Sequence, residues 1–344
     1  MISLHNPKLT KNDLSHAILA MKSNWISTGG KYIEKFENEF KKKTNLKNVI
    51  ALSTGTNALQ IAVNLCGANK DTEVILPTVS FVATANAVLY NNAHPVFMDV
   101  NSDLNIDVNK TYEFFNKNTF KKGKYIFNKK TKRKIVAIIV VHVFGKIVPK
   151  IFELKKFCIK NNIKLIEDAA EAVGSKIVIG KKNLHAGLFG DFACFSFNAN
   201  KTITAGTGGI LVCKKNLTHN KAKFICSTAK NNVFKFVHNE LGYNFKMTNI
   251  NAAIGYSQLK SLNVIKKKKE NVYKFYENFF KKEKTIKLLE KNKSNSNYWM
   301  NAIKIKSKKN LDKKFENFMT RNKIQIRSVW LALHKQKYLL NFEK

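Results

Sequence analysis

The chain has 344 residues, long enough for one large or two moderate domains with a core of useful size, and sets 61 Lys and Arg against 23 Asp and Glu for a formal net charge of +38. Such a charge brings nucleic acid or an anionic membrane into consideration, yet lysines fall in nearly every surface-like segment (Lys41–Lys43, Lys129–Lys134, Lys266–Lys269, Lys308–Lys309), a pattern of compositional bias and a solvated surface that argues against a specific nucleic-acid groove. The five cysteines are widely spaced with no CxxC, the eight histidines form no HxxxH or Cys/His pairing, and no signal-peptide region or membrane-length apolar run is visible, so a reduced, cytoplasmic protein without a metal site is expected.

From Asn48 to about Val212 short apolar runs alternate with helical patterns, the signature of a parallel sheet covered on both faces. The first unit runs from NVIAL (48–52) through the turn STGT into TNALQIAVNLC, where Leu59, Ala62, Val63 and Cys66 share one helical face. Gly55 and Thr56 stand at that helix start, where backbone N–H groups and hydroxyls make an anion site suited to phosphate; an ordinary Thr N-cap accounts for the same residues. A second unit goes from EVILP to FVATANAVLYN, with Val82, Ala85, Val88 and Leu89 on one stripe, and then to PVFMDV, ending near Asp99. The polar stretch 114–134 reads as an inserted surface hairpin. The third unit leads from KIVAIIVVHVFG through IFELKKFCIKN to IKLIEDAAEA, and such units close right-handed.

Asp168 ends that last strand, where a carboxylate either holds a positive charge or caps the turn that follows. Next comes FSFNANKTITAGTGG (195–209), in which Lys201 has no basic neighbour until Lys214. A lysine used for Schiff-base chemistry must be available as the free amine, a state that burial among apolar groups favours. The glycines at 206–209 read as close packing and not as a second phosphate loop. After about Gly255 the composition shifts to a Lys-rich helix (258–282) and short segments such as YWMNAIKI and KIQIRSVW. Two packed domains are therefore expected: a large one over 1–255 and a small α+β one over 256–344.

A phosphate-binding helix start, an Asp at a strand end and a lysine downstream of Ser196 together form the parts list of a pyridoxal phosphate site. The segments STGTNALQIA, PTVSFVATANAV, PVFMDV, VHVFG, IEDAAEAVGS, GDFACFSFNANKTITAGTGGIL and LGYNFKMTNINAAIGYSQL resemble, in order, the signatures of the DegT/DnrJ/StrS nucleotide-sugar aminotransferases. The likeness covers almost the whole chain. FNKKTKRKIVAIIVVHVFG, STAKNNVFKFVHNELGYN and SNSNYWMNAI are most similar to the legionaminic-acid-pathway branch, which acts on UDP-linked 4-keto-6-deoxy sugars.

The resemblance implies an α/β, fold-type I pyridoxal-phosphate transferase working as a homodimer with a shared active site. Lys201 would be the Schiff-base amine and the acid/base, and Asp168 the partner of the pyridine nitrogen. Glu171 stands beside the ring, where the family often has Gln, and Phe81 matches the aromatic stacked on it; the start of a helix core is the other reading of Phe81. Gly55, Thr56 and Ser196 would hold the phosphate, Asn57 joins the cofactor-binding set, and Asn244 would reach in from the other subunit. Ser27, Thr28 and Gly29, with Trp25, resemble the loop that approaches the nucleotide sugar. His142, Arg327 and His334 are candidates for substrate or domain-closure contacts, with a core role open for His142 and for Tyr298 and Trp299. The implied reaction moves an amino group, from glutamate, to a nucleotide-linked 4-keto-6-deoxy sugar for surface polysaccharide or nonulosonic acid synthesis. A GDP-linked, perosamine-type substrate is the alternative, and an impaired scaffold with an RNA-binding or interaction role is the rival of another class. Because Lys201 is present, the family's dehydrases, which lack that lysine, are disfavoured. Relatives continue past the segment matching LHKQ into a final helix, so the small domain is expected to be truncated.

Overall fold

The computed structural model describes residues 1–232, 234–289, 295–306 and 311–342. Of the residues named above, Val233, Ser294 and Lys308–Lys309 lie outside them, as does the end of the expected small domain, Glu343–Lys344. The chain opens with α1 (Lys11–Lys22), started by a reciprocal capping box in which Asp13 N donates to Thr10 Oγ1 (3.3 Å) and Thr10 N to Asp13 Oδ2 (2.7 Å). Helix α2 (Lys31–Thr44) follows and buries Phe36 and Phe40, one turn apart, on its inner face.

The strands that build the central sheet are β1 (Val49–Leu52), β2 (Thr72–Pro77), β3 (His94–Met98), β4 (Thr119–Lys122), β5 (Tyr125–Asn128), β6 (Lys134–Val141) and β7 (Lys164–Asp168). After a separate hairpin, β8 (Lys176–Ile179) and β9 (Lys182–His185), the sheet is completed by β10 (Phe192–Ser196) and β11 (Gly209–Cys213). The spatial order is β1-β11-β10-β7-β6-β2-β3, with β5 joined to β6 and β4 to β5. The links β10–β7, β7–β6, β6–β2 and β2–β3 are parallel. On both of its sides β11 pairs antiparallel, with Val212 opposite Val49 and Ala193.

The sheet is mostly parallel, as expected, and within it NVIAL (β1) does not neighbour EVILP (β2). After β10 the chain turns straight back and β11 slots in between β10 and β1, an insertion that apolar periodicity does not reveal. The inserted hairpin is narrower than 114–134, because residues 114–118 complete α5 (Val108–Asn118), and its second strand extends the sheet at Phe127 opposite Lys134.

Alternate residues of one strand feed two cores. Ile138 and Val140 of β6 pack with Phe36, Phe40, Leu154 and Cys158 on one face, and Ala137 and Ile139 with Leu59, Ala62, Ala85 and Val88 on the other. Helices α3 (Gly55–Leu65) and α4 (Ala83–Leu89) cover this second face and α6 (Ile151–Lys160) the first, which is why the strands read as continuous apolar runs. The second face also holds α7 (Asn216–Cys226), which is followed by the short ribbon β12 (Lys230–Asn232) and β13 (Val237–His238).

The expected domain boundary falls inside α8 (Asn249–Lys260), and the single Lys-rich helix divides at Ser261 into α8 and α9 (Leu262–Phe280). Beyond it lie the pair β14 (Ile286–Leu288) and β15 (Ile303–Ile305) and helix α10 (Leu311–Arg321). The carboxyl-terminal segment then returns to the sheet: Leu333 N donates to the Thr78 carbonyl (2.7 Å), Tyr338 Oη to Asn86 Oδ1 (2.6 Å), and Leu333 and Leu339 are buried on the α3/α4 face. At the other end, residues near Ile2 pair with those near Ile324, with Ile2 N donating to the Lys323 carbonyl (2.8 Å). No helix among the described residues is long and apolar enough to cross a membrane.

Candidate active site

The carboxyl ends of β1, β7 and β10 meet around the start of α3. In β10 side chains alternate, so Phe195 and Phe197 point one way, edge-on to Phe40 and Phe36 with centroids 5.0 Å apart in each pair. Ser196 points the other way, against Gly55: a Cβ added there would lie 2.8 Å from that of Ser196. Thr54 caps α3 by accepting from Asn57 N (3.1 Å), and Asn57 Nδ2 donates to Ser53 Oγ (2.8 Å). The cap takes the N–H of Asn57 and leaves those of Gly55 and Thr56, at the helix start beside Ser196, without an intrahelical acceptor. Gly209 closes the floor, since a Cβ on it would meet the Thr54 carbonyl oxygen at 2.2 Å and Gly55 N at 2.6 Å. Gly209→Ala is therefore expected to destabilise the protein by about 2–3 kcal/mol through overpacking. A denaturation midpoint equal to that of wild type would refute this close approach.

Asp168, at the end of β7, is buried and makes no ion pair among the described residues. Its Oδ2 accepts from Thr84 Oγ1 (2.7 Å) and its Oδ1 from Ala170 N (3.2 Å), so the turn-capping role is present as well. Burial pushes its pKa up, and Thr84, Ala170 and the charge of Lys201 pull the other way. Glu171 is also buried and raised, with the Lys201 charge the largest opposing influence. Its Oε2 accepts from Phe144 N (2.8 Å), and its Oε1 lies 3.5 Å from Lys201 Nζ. That ammonium sits 4.3 Å from the centroid of the Trp299 ring, whose Nε1 donates to the Asn200 carbonyl (2.6 Å). Trp299 is thus both core and platform.

The remaining candidates are scattered more widely. Phe81 is 55% exposed at the turn into α4, which overturns the reading of it as the start of a helix core. His142 does not face a cleft: fully buried, it accepts from Val148 N at Nδ1 (3.3 Å) and donates from Nε2 to Glu167 (2.9 Å), a satisfied core histidine. Ser27, Thr28 and Gly29 lie in a loop pinned to α8, where Asn249 N donates to the Ser27 carbonyl (2.7 Å) and Asn249 Nδ2 to that of Trp25 (2.6 Å). Arg327 is exposed, three residues before Trp330, which stacks on Phe144. His334 bonds to the Thr78 hydroxyl and so ties the carboxyl-terminal segment to the end of β2. Tyr298 is half-buried against Tyr273, and Asn244 is exposed beside the segment whose Phe245 carbonyl accepts from Ser53 N (2.8 Å).

These residues fit pyridoxal phosphate on grounds of their own. A buried carboxylate without an ion pair suits a protonated ring nitrogen, an N–H and hydroxyl cradle built on a close-approach glycine suits a phosphate, and one amine lies beside Glu171 with its charge felt at Asp168. The model of the DegT/DnrJ/EryC1/StrS aminotransferase family matches residues 7–344. The chain belongs to this family. The aminotransferase is 33% identical over 346 residues to GDP-perosamine synthase of Vibrio cholerae, covering 97% of this chain and 86% of that protein. It is 32% identical over 299 residues to the UDP-4-amino-4,6-dideoxy-N-acetyl-beta-L-altrosamine transaminase of Campylobacter jejuni, covering 86% and 74%. Among solved structures it is similar to the Helicobacter pylori aminotransferase involved in pseudoaminic acid biosynthesis (TM-score 0.86, 25% identity, 98% and 87% covered). A Streptococcus pneumoniae protein solved in its PLP form shares the fold (TM-score 0.85, 18% identity, 99% and 88% covered). Pyridoxal phosphate is the cofactor of the aminotransferase.

Several residues that build the site were not singled out in the sequence. Asn297, inside the quoted SNSNYW, has its Nδ2 within hydrogen-bond distance of the carbonyls of Glu171 (2.7 Å) and Val173 (2.9 Å) and of Thr202 Oγ1 (3.0 Å), tying the segment that carries Glu171 to the one that carries Lys201. Asn249 and Asn251, inside the quoted MTNINAA, pin the amino-terminal loop and the Ala205 carbonyl (2.6 Å) respectively. His5 meets Lys269 (3.3 Å), and burial beside Lys269 and Lys201 lowers its pKa to about 4; nothing in its local sequence signals this.

Proposed function

We propose that the aminotransferase transfers an amino group from glutamate to the keto carbon of a nucleotide-linked 4-keto-6-deoxy sugar, with UDP-2-acetamido-2,6-dideoxy-hex-4-ulose as the first candidate. The observation that carries the reading is the position of Lys201 Nζ, 3.5 Å from Glu171 Oε1 and close enough to buried Asp168 for its charge to be felt there. The UDP-linked class is supported by the likeness to altrosamine transaminases, whose product name places the amine on carbon 4 of a 4,6-dideoxy sugar. The GDP-linked class is a second reading, favoured by the likeness to GDP-perosamine synthase over 97% of the chain.

In this reading Gly55, Thr56 and Ser196 would hold the cofactor phosphate, Phe81 would contact its ring and Asp168 would be the partner of the ring nitrogen. Pyridoxal phosphate, when bound, supplies an electron sink that allows an amino group to pass between two carbon skeletons. Lys201 would hold the cofactor through Nζ, and that same atom would hold and move the proton in the transfer. Glu171 positions the ammonium, and its bond from Phe144 N fixes the carboxylate. The Trp299 face below Lys201 keeps water from one side of the amine. Two chains would complete each site, Asn244 of one reaching the phosphate of the other. Exposed Phe234 (95%), Leu241 (79%) and Phe236 (68%) on the neighbouring ribbon support such an interface.

The test is to incubate purified protein with pyridoxal phosphate, glutamate and either UDP- or GDP-linked 4-keto-6-deoxy sugars and to follow 2-oxoglutarate. Release that depends on one sugar nucleotide is expected and identifies its class. Release with neither overturns the reading.

A further inference from the structure

Asp168 is held by more than its own strand. The turn between β2 and α4 places Ser80 and Thr84 one helical step apart, both buried, with their hydroxyl oxygens 2.7 Å from each other. Thr84 gives its only proton to Asp168 Oδ2 (2.7 Å), so Ser80 is the donor of the Ser80–Thr84 bond. The result is a directed chain, Ser80 to Thr84 to Asp168, whose polarisation ends on the carboxylate. It crosses from the end of β2 over β6 to the end of β7, and thus joins elements that pair through different strands. The same turn carries exposed Phe81 between the two hydroxyl residues.

A carboxylate this deep with no ion pair prefers to be neutral, and a neutral Asp168 could not hold a cation on the ring nitrogen. Hydroxyl donors to the charged form oppose that preference, and charge-assisted hydrogen bonds are about twice as strong as neutral ones. The ionisable groups around Asp168 are Lys201, His142, Glu171 and Cys194. Of these, Lys201 is shared with Glu171 and His142 is engaged by Glu167 and Val148, which leaves the hydroxyl chain and Ala170 N as the donors that touch Asp168 directly.

We propose that Ser80 and Thr84 are positioning residues of the aminotransferase: their hydroxyl chain keeps Asp168 ionised and oriented, and through it keeps the cofactor ring nitrogen protonated. This rests on the assignment of Asp168 as the ring-nitrogen partner. The experiment compares Thr84→Val, Thr84→Ser and Ser80→Ala with wild type as full-length protein loaded with pyridoxal phosphate labelled with nitrogen-15 in the ring. The ring-nitrogen chemical shift is followed against pH, alongside cofactor dissociation constants and melting of the cofactor-free chain. Thr84→Val is expected to move deprotonation of the ring nitrogen down by about one pH unit and to weaken cofactor binding about tenfold, the loss of one charge-assisted hydrogen bond. Ser80→Ala gives a smaller shift in the same direction, and Thr84→Ser restores wild-type titration. If Thr84→Val lowers the melting temperature but the ring nitrogen titrates as in wild type, or if Thr84→Ser fails to rescue, the residues are merely structural and the proposal is overturned. If Thr84→Val does not fold, Ser80→Ala against Thr84→Ser decides by the same criterion. A ring-nitrogen signal in wild type that is insensitive to Asp168→Asn would instead defeat the underlying assignment of Asp168.

Discussion

Replacing Lys201 with alanine is expected to lower the rate of amino transfer by roughly 10⁴-fold, the upper end of what a positioned acid/base contributes, while the chain still folds. The side chain is only 15% exposed, and among the described residues its amine meets Glu171 Oε1 at 3.5 Å and the Trp299 ring at 4.3 Å. The ring contact is worth about 0.5–2 kcal/mol. Without the ammonium, Glu171 loses the largest influence opposing burial and its pKa moves further up, and readier protonation limits the cost of leaving it in the interior. Lys201→Arg separates the two roles. It returns a cation to Glu171 and Trp299, and with it stability, but its guanidinium stays protonated at working pH and cannot serve as the amine. Steady-state rates and melting curves of the two variants check the argument. Activity in either variant within about tenfold of wild type would contradict it.

Asp168→Asn is expected to lower the rate roughly 10²–10³-fold, corresponding to the few kcal/mol lost when one partner of a buried charged pair is removed. Its effect on the cofactor-free protein has the opposite sign. The pKa of Asp168 is raised in the folded chain, so the native state binds its proton more readily than the unfolded state does, and the ionised group costs stability above its unfolded pKa. Stability is regained as the pH falls through the raised folded value. Asparagine keeps the acceptor for Thr84, gives up the longer bond from Ala170 N and removes the buried charge, the larger effect, so the apoprotein variant melts higher than wild type at neutral pH. The gap closes on acidification toward the carboxylate range. A gain of about 1 kcal/mol or more is the expected size for a buried charge without a partner. Equal melting temperatures at neutral pH would mean that the carboxylate is already compensated in the empty site.

Much of the site was legible because its chemistry sits at strand ends and strand ends can be read. NVIAL, IKLIED and FACFS are largely apolar runs that give way to a polar residue, and in the fold Ser53, which follows the first run, Asp168 and Ser196 lie at the same edge of the sheet. Pairwise placement was not legible. The antiparallel insertion of β11 next to β1 depends on contacts between residues more than 150 positions apart, such as Val49 and Val212, and local periodicity contains no trace of them. His142 shows the limit for single residues. A histidine ending a strand has the same local pattern whether it meets a ligand or a buried acid, and here Glu167, a neighbour of Asp168 on β7, decides for the core. Asn297 and Asn249 stayed hidden for a related reason: a buried Asn that satisfies distant carbonyls looks in sequence like a polar loop residue.

The measurement that tests the central claim most directly is borohydride reduction of the protein after addition of pyridoxal phosphate, followed by mass analysis of its peptides. A single adduct of the cofactor mass on the peptide containing Lys201 is predicted, and it should be absent from Lys201→Ala. Adducts spread over the chain's many other lysines, with none on that peptide, would contradict the account.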